Sequence, residues 1–280
     1  MKLVTWNAQW CCGMDGVVRP QRIVDGARAL ADFDVLCLQE IADGFPRLRG
    51  DAGADQAAAI AALLPGFELL FAPAVDEWQG GRRRRFGNLI ATRLPVARVE
   101  HHLLPYPADA GIRSMPRVCA TATMIDPVLG PVRIMTTHLE FYSKRQRMAQ
   151  AHALRELHAQ ASAVALAPPQ PANDGTPFET RVHTANAILC GDFNFEPHEP
   201  EYGAVTQPFG HGRLHDSWRV LNGEAPHAPT FRLLDRTYGP EPIACDFVFV
   251  SDALVTRVKK LSIDSATQAS DHQPVAVELA

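Results

Sequence analysis

The apolar run Ala187-Ile188-Leu189-Cys190 breaks off into Gly191-Asp192-Phe193-Asn194, and Ser270-Asp271-His272 stands just before a second run, Val275–Leu279. This pattern narrows the fold more than any other in the chain. Strand residues i and i+2 share a face, so a buried strand that ends in Asp-x-Asn delivers two oxygen-bearing side chains to one rim of a sheet. Oxygen donors of this hardness suit Mg2+ or Mn2+ better than zinc. With His272 added, the side-chain types are those of metal-assisted hydrolysis.

The same punctuation recurs along the sequence. Strand-like runs at Lys2–Trp6, Asp34–Gln39, Val132–Thr137 and Ala187–Cys190 are followed by Asn7, Glu40, His138 and Asp192, and Asp246 opens the run that continues to Val250. Asp246 is the hardest of these to explain as structure alone, because an apolar strand seldom buries an unpaired carboxylate. Further strands are predicted at 67–72, 86–92, 96–104, 118–125, 255–263 and 275–279. Helices are predicted at Pro20–Ala31, Ala54–Leu64 and Ser143–Ala165, the last with Ser143 as N-cap. Consecutive strands with a few intervening helices predict an α/β (α+β) architecture: two sheets packed face to face under flanking helices, as one domain over residues 1–280. The Pro- and Asn-rich stretch 167–184 reads as a surface excursion.

Composition excludes several classes. Hydrophobic content of 46% with 21% charged residues is that of a globular chain, not a disordered one. No segment reaches the about 18 apolar residues of a membrane helix, and the start lacks the apolar core of a signal peptide, so a soluble, cytoplasmic protein is expected. The six cysteines include no Cys-x-x-Cys pair, which argues against zinc. The net charge of −4 argues against a broad electrostatic grip on nucleic acid, although a local patch would suffice. Arg82-Arg83-Arg84-Arg85, after Trp78, is such a patch: it reads equally as a grip on phosphates with Trp78 stacking on a base, or as a solvated basic loop. No obligate protein partner is evident.

Taken in order, Thr5-Trp6-Asn7-Ala8-Gln9, Leu38-Gln39-Glu40, Gly87-Asn88 through Pro95, Thr137-His138-Leu139-Glu140, Gly191-Asp192-Phe193-Asn194, Cys245-Asp246 through Ser251 and Ser270-Asp271-His272 resemble the endonuclease/exonuclease/phosphatase superfamily. The resemblance spans nearly the whole chain and implies a four-layer sandwich of two mixed β-sheets flanked by helices. It also implies site roles. Glu40 and Asn7 would hold the divalent ion, Mg2+ or Mn2+, with Asp271 nearby. Asp192 would orient or deprotonate the attacking water, and Asn194 would hold the phosphoryl group. His138 and His272 would stabilise charge on the phosphate oxygens, with Asp246 accepting a hydrogen bond from His272. Arg117 and Arg147 fall where an arginine near the phosphate is common, beside the readings of a surface ion pair for Arg117 and a solvated helix face for Arg147.

Two departures stand out. Gln9 and His138 occupy positions where abasic-site endonucleases carry an acidic residue and a tyrosine, which draws the resemblance toward deoxyribonucleases and sphingomyelinases. The glutamate that partners the equivalent of His138 in deoxyribonuclease I-like proteins has no counterpart in Arg85-Phe86-Gly87-Asn88, so either Asn88 substitutes or the pairing is absent. The expected substrate is a phosphoester, foremost a phosphodiester such as nucleic acid. The alternatives are a small or lipid-derived phosphate ester, or a silent binding module of the same fold. The absence of an aromatic lipid-inserting hairpin weakens the sphingomyelinase-like option.

Overall fold

The computed structural model describes residues 1–210 and 212–280. Its strands are β1 (Lys2–Asn7), β2 (Val35–Asp43), β3 (Glu68–Gln79), β4 (Arg82–Thr92), β5 (Val96–Leu103), β6 (Val118–Asp126), β7 (Gly130–His138), β8 (Ala187–Asp192), β9 (Leu214–Asp216), β10 (Asp246–Ser251), β11 (Val258–Ile263) and β12 (Val275–Leu279). The helices are α1 (Pro20–Leu30), α2 (Gln56–Leu63), α3 (Lys144–Leu166), α4 (Pro200–Thr206) and α5 (Ser217–Asn222). The strands form two six-stranded sheets, ordered β11-β12-β1-β2-β4-β3 and β5-β6-β7-β8-β10-β9. Each sheet contains one parallel pair, β1–β2 and β7–β8, and each pair is bridged by a helix, α1 or α3. All other pairings are antiparallel.

Side-chain alternation builds the layers. Leu3, Val35, Cys37 and Ile90 of the first sheet meet Val118, Ile134, Ile188, Cys190 and Val248 of the second in one buried cluster between the sheets. The alternate residues Val4, Trp6, Leu36 and Leu38 face outward against Ile23, Val24 and Ala27 of α1 and Ile60 of α2. On the far side Met135, Leu189, Phe247 and Phe249 pack on Ala151 and Leu154 of α3 and Val205 of α4. The order helix, sheet, sheet, helix is the four-layer sandwich expected.

The same period of two positions the functional side chains. Counting in twos from inward-facing Leu3, Ile134, Ile188 and Val248 reaches Asn7, His138, Asp192 and Asp246. Because β10 runs antiparallel to β8, its first residue Asp246 stands opposite Asp192, the last of β8. All four meet at one rim of the gap between the sheets. Gly191 permits this: its φ is +137°, and a Cβ there would lie 1.9 Å from the Thr137 carbonyl of β7.

Three differences from the sequence expectations have physical causes. β2 does not end at Gln39 but continues through Glu40, which has φ +60° at a bulge where the register to β4 shifts. Without the extra residue, alternation would turn Glu40 outward with Leu36 and Leu38; the bulge turns it to the rim instead. The four arginines are strand, not loop: β3 and β4 form a hairpin closed by Gly80 and Gly81, both at positive φ. Arg83 pairs with Asp76 at 2.7 Å, Arg84 with Glu77, and Arg85 with Asp43 at 2.7 Å, so much of the basic run is already matched. The short elements α4, β9 and α5 were not anticipated. Ser143 is the N-cap of α3, accepting from the Gln146 N–H at 3.1 Å. Among the described residues no helix is long and apolar enough to cross a membrane.

Candidate active site

The rim closes around Asp192. Its Oδ2 accepts from Asn7 Nδ2 at 2.9 Å and lies 3.4 Å from His138 Nε2 and 3.6 Å from His272 Nε2. Its Oδ1 accepts from the Asn194 N–H at 3.0 Å, a turn made possible by the positive φ of Asn194. Asn7 also donates to Glu40 Oε1 at 3.2 Å, while its own Oδ1 accepts from the Gln9 N–H at 3.0 Å. Expected as an oxygen ligand, Asn7 here turns its amide NH2 to two carboxylates and so fixes their spacing. Ser270 Oγ donates to the Asn7 carbonyl at 2.7 Å and tethers the Asp271-His272 segment to the end of β1.

His272 is held on four sides. Nδ1 meets Asp246 Oδ2 at 2.9 Å, Nε2 points toward Asp192, the backbone carbonyl accepts from Trp6 Nε1 at 2.9 Å, and Phe231 stacks on the ring at 4.2 Å. Asp246 is fixed in turn by Thr230 Oγ1 at 2.6 Å. Burial works against a charged ring, but Asp246 and Asp192 outweigh it and raise the pKa of His272 well above the ordinary histidine value. His272 is therefore an imidazolium aimed at the rim.

His138 is the opposite case. Burial, reinforced by Arg117, pushes its pKa down to about 3, so it is neutral at physiological pH. The sequence expectation paired the two histidines as charge stabilisers; only His272 carries a charge to give. His138 also lacks the partner sought at Asn88, whose amide donates to the Val118 carbonyl at 2.9 Å. The carboxylate nearest His138 Nδ1 is Glu40, at 3.8 Å. A partner for His138 thus comes from the bulge in β2, not from β4.

A cavity of about 150 Å³ opens over these groups, lined by Glu40, Asp192, Asn194, Asp271, His272 and Arg117, with Trp10, Phe141, Tyr142, Phe231 and Tyr238 among its walls. Arg117 reaches it from the start of β6 and is anchored by buried Glu140, 3.2 Å from its Nε. Arg147, also expected near the phosphate, is turned away: its guanidinium contacts Glu201 at 3.3 Å and the Glu140 and Phe141 carbonyls at 3.2 and 2.9 Å. It braces the loop after β7 and does not line the cavity. Asn194 lies in the wall with its amide donating to the Leu139 carbonyl at 2.9 Å.

The donor set fits a hard divalent cation. Burial, then the neighbouring Asp271 charge, pushes the pKa of Glu40 up to about 7, and burial raises that of Asp271. Two crowded carboxylates that resist ionisation are what a bound cation would relieve. Asp192, Cys245 and His272 also bring potential ligand atoms within 4.8 Å of one another. That trio is poorer, because burial keeps the Cys245 thiol protonated and His272 is charged. Glu140, Thr230 and Phe231 were assigned no role from sequence. Glu140 stood inside a recognised motif, but nothing local marks Thr230 or Phe231, which act on residues far along the chain.

Comparison with known proteins identifies the fold and the family. The family model described as the endonuclease/exonuclease/phosphatase family matches residues 4–272. Solved structures superpose along the full chain. An endonuclease/exonuclease/phosphatase family protein from Bacteroides thetaiotaomicron has a TM-score of 0.69 at 19% identity, covering 100% of this chain and 94% of that one. A mannosyl-6-phosphatase from B. thetaiotaomicron VPI-5482 has a TM-score of 0.66 at 20% identity, covering 100% and 99%. Truncated TDP2 from Caenorhabditis elegans has 0.64 at 19%, covering 100% and 97%. At these identities the likeness is one of fold. No curated protein matches the sequence. With the model match running from the first strand to His272, the chain belongs to the endonuclease/exonuclease/phosphatase family, whose members are phosphoester hydrolases.

Proposed function

We propose that the protein hydrolyses phosphoester bonds with a divalent cation, Mg2+ or Mn2+, and that phosphodiesters are its substrates. The observation that carries this reading is the His272 imidazolium, clamped by Asp246 and aimed past Asp192 into a cavity bearing Glu40 and Asp271. A phosphodiester is an anion that repels both hydroxide and these carboxylates. It needs a cation on one side and a fixed donor on the other. Glu40 and Asp271 would hold the cation, which neutralises phosphate charge when bound. Asp192, pinned by Asn7 and the Asn194 N–H, would orient and deprotonate the attacking water. His272 and Arg117 would donate to phosphate oxygens, and Asn194 would position the phosphoryl group. His138, being neutral, has one N–H to give and would turn it toward Asp192, 3.4 Å from its Nε2.

A second reading has its own support. The matched arginines of the β3–β4 hairpin and the small cavity give little purchase to a long polyanion, and both favour a compact phosphate ester. One fold neighbour is named as a mannosyl-6-phosphatase. The deciding experiment measures release of p-nitrophenol from bis-p-nitrophenyl phosphate and from the monoester, with Mg2+, Mn2+ or chelator. It uses wild type, Asp192→Ala and His272→Ala. We expect metal-dependent diester hydrolysis that falls by roughly 10³-fold or more in both variants, the scale of a lost acid–base group. Monoester-only hydrolysis would select the second reading. Hydrolysis that survives both substitutions or the chelator would overturn the assignment.

A further inference from the structure

A second cavity, of about 250 Å³, lies on the outer face of the second sheet, beneath the C-terminal half of α3 and a strap at residues 182–184. Its wall contains Arg133 of β7, only 5% exposed. The buried arginines Arg117 and Arg147 each have a glutamate at ion-pair distance. Arg133 has no such carboxylate among the described residues. Its Nη2 lies 2.9 Å from Nδ1 of buried His158, and its Nε is buried without a partner. Among the described residues Glu100 is the one carboxylate lining the cavity, and Arg98 already holds it at 2.8 Å. One positive charge is left unmatched in the wall of a partly open cavity whose lining mixes polar and apolar side chains.

A buried cation without a counter-charge is costly, and an orphaned buried N–H in a native fold calls for an explanation. The cost is visible in both partners. Burial drags the pKa of Arg133 down to about 10, and burial together with Arg133 drags that of His158 down to about 3. An anion in the cavity would supply what is missing. The guanidinium fork matches the oxygens of a phosphate group, and Thr121, Thr123 and His183 line the same walls.

We propose that this cavity is a second ligand site, distinct from the catalytic rim, which binds a compact phosphate anion on Arg133. His138 stands five positions after Arg133 along β7, about 17 Å on an extended strand, and the two residues point to opposite faces of the sheet. The site therefore stands apart from the proposed chemistry.

The test uses the full chain carrying Asp192→Ala and His272→Ala, in chelator, which removes both the cation and the imidazolium from the rim. Calorimetric titration with inorganic phosphate and, separately, glycerol 3-phosphate is expected to show one site per chain. The tighter of the two identifies the free anion or a monoester as the ligand class. Adding Arg133→Met is expected to weaken binding at least about tenfold, the scale of one lost charge-assisted contact. Ala161→Phe, which fills the cavity from α3 and leaves every charge in place, is expected to do the same and decides the matter if the Met variant does not fold. No binding of either anion, or binding unchanged in a folded variant, overturns the proposal. Wild-type turnover in a folded Arg133→Met protein keeps the fate of this site separate from that of the rim.

Discussion

The two ends of β7 have opposite electrostatic problems. At the His138 end, Glu40, Asp192, Asp246 and Asp271 crowd around one imidazolium, and Arg117 is already engaged by Glu140. At the Arg133 end, a buried guanidinium faces a neutral histidine and, among the described residues, no carboxylate at ion-pair distance. Both regions are lined by the same sheet and both are well buried, so burial alone does not explain either. What differs is the sign of the unmatched charge, and the sign states the missing partner: a cation at the rim, an anion under α3. Two buried histidines register the contrast. His272, between carboxylates, is charged; His158, against an arginine, is neutral.

The most forceful way to break this comparison is to remove the carboxylate behind His272. Asp246→Asn keeps the shape and a hydrogen-bonding group but loses the charge that holds the imidazolium. We expect kcat to fall by roughly 10²–10³-fold with KM little changed, on the scale of a disturbed general acid. Steady-state kinetics beside a circular dichroism spectrum checks this. A folded variant with wild-type kcat would mean that the rim does not depend on a charged His272.

Much of this rim was legible in the sequence because its residues sit where period-two alternation stops. Asn7, His138, Asp192 and Asp246 each terminate or open a short apolar run, and the run itself dictates the face they share. Glu40 was legible as a residue but not as a geometry. A bulge leaves no mark in the apolar pattern of Val35–Asp43, so the sequence places the end of the strand at Gln39, four residues short of its end at Asp43. The arginines were misplaced for a related reason: four consecutive charges resemble a loop until Asp76, Glu77 and Asp43 are brought beside them. Arg147 was read from its helix face, but nothing in the sequence shows that Glu201 lies beneath that face. Elements as short as β9 and α5 offer too few residues for any periodicity to emerge.

A second test sharpens the cation side. A divalent ion that binds only the folded chain raises its stability, by about 2.7 kcal/mol when present at a hundred times its dissociation constant. We expect the Tm of wild type to climb with Mg2+ or Mn2+ and that of Glu40→Gln to stay flat. Without metal, the variant should match or exceed wild type, because a carboxylate whose pKa burial pushes up to about 7 has been replaced by a neutral amide. An equal metal response in both proteins would remove Glu40 from the ligand set.

The smallest effect concerns His158, and its sign is fixed by the direction of the shift. The folded pKa is lowered to about 3, first by burial and then by Arg133, with Asp252 opposing. The unfolded chain therefore takes up this proton first. Stability is full above the ordinary histidine range and drains away as pH falls from about 6.5 toward 3, at up to about 1.4 kcal/mol per pH unit from this group. His138, likewise neutral and buried, adds a similar acid-side loss, so the measurement must be differential. Urea titrations of wild type and His158→Gln between pH 7 and pH 4 are expected to show a shallower loss in the variant, by one proton's worth of slope. Phosphate bound on Arg133 would raise the stability of both proteins, but it would also offset the charge that keeps His158 neutral, and so should flatten the slope of the wild-type curve while leaving the slope of the variant unchanged. An equal change of slope in both would place the anion somewhere other than against this pair, and the contrast between the two ends of β7 would lose its anionic half.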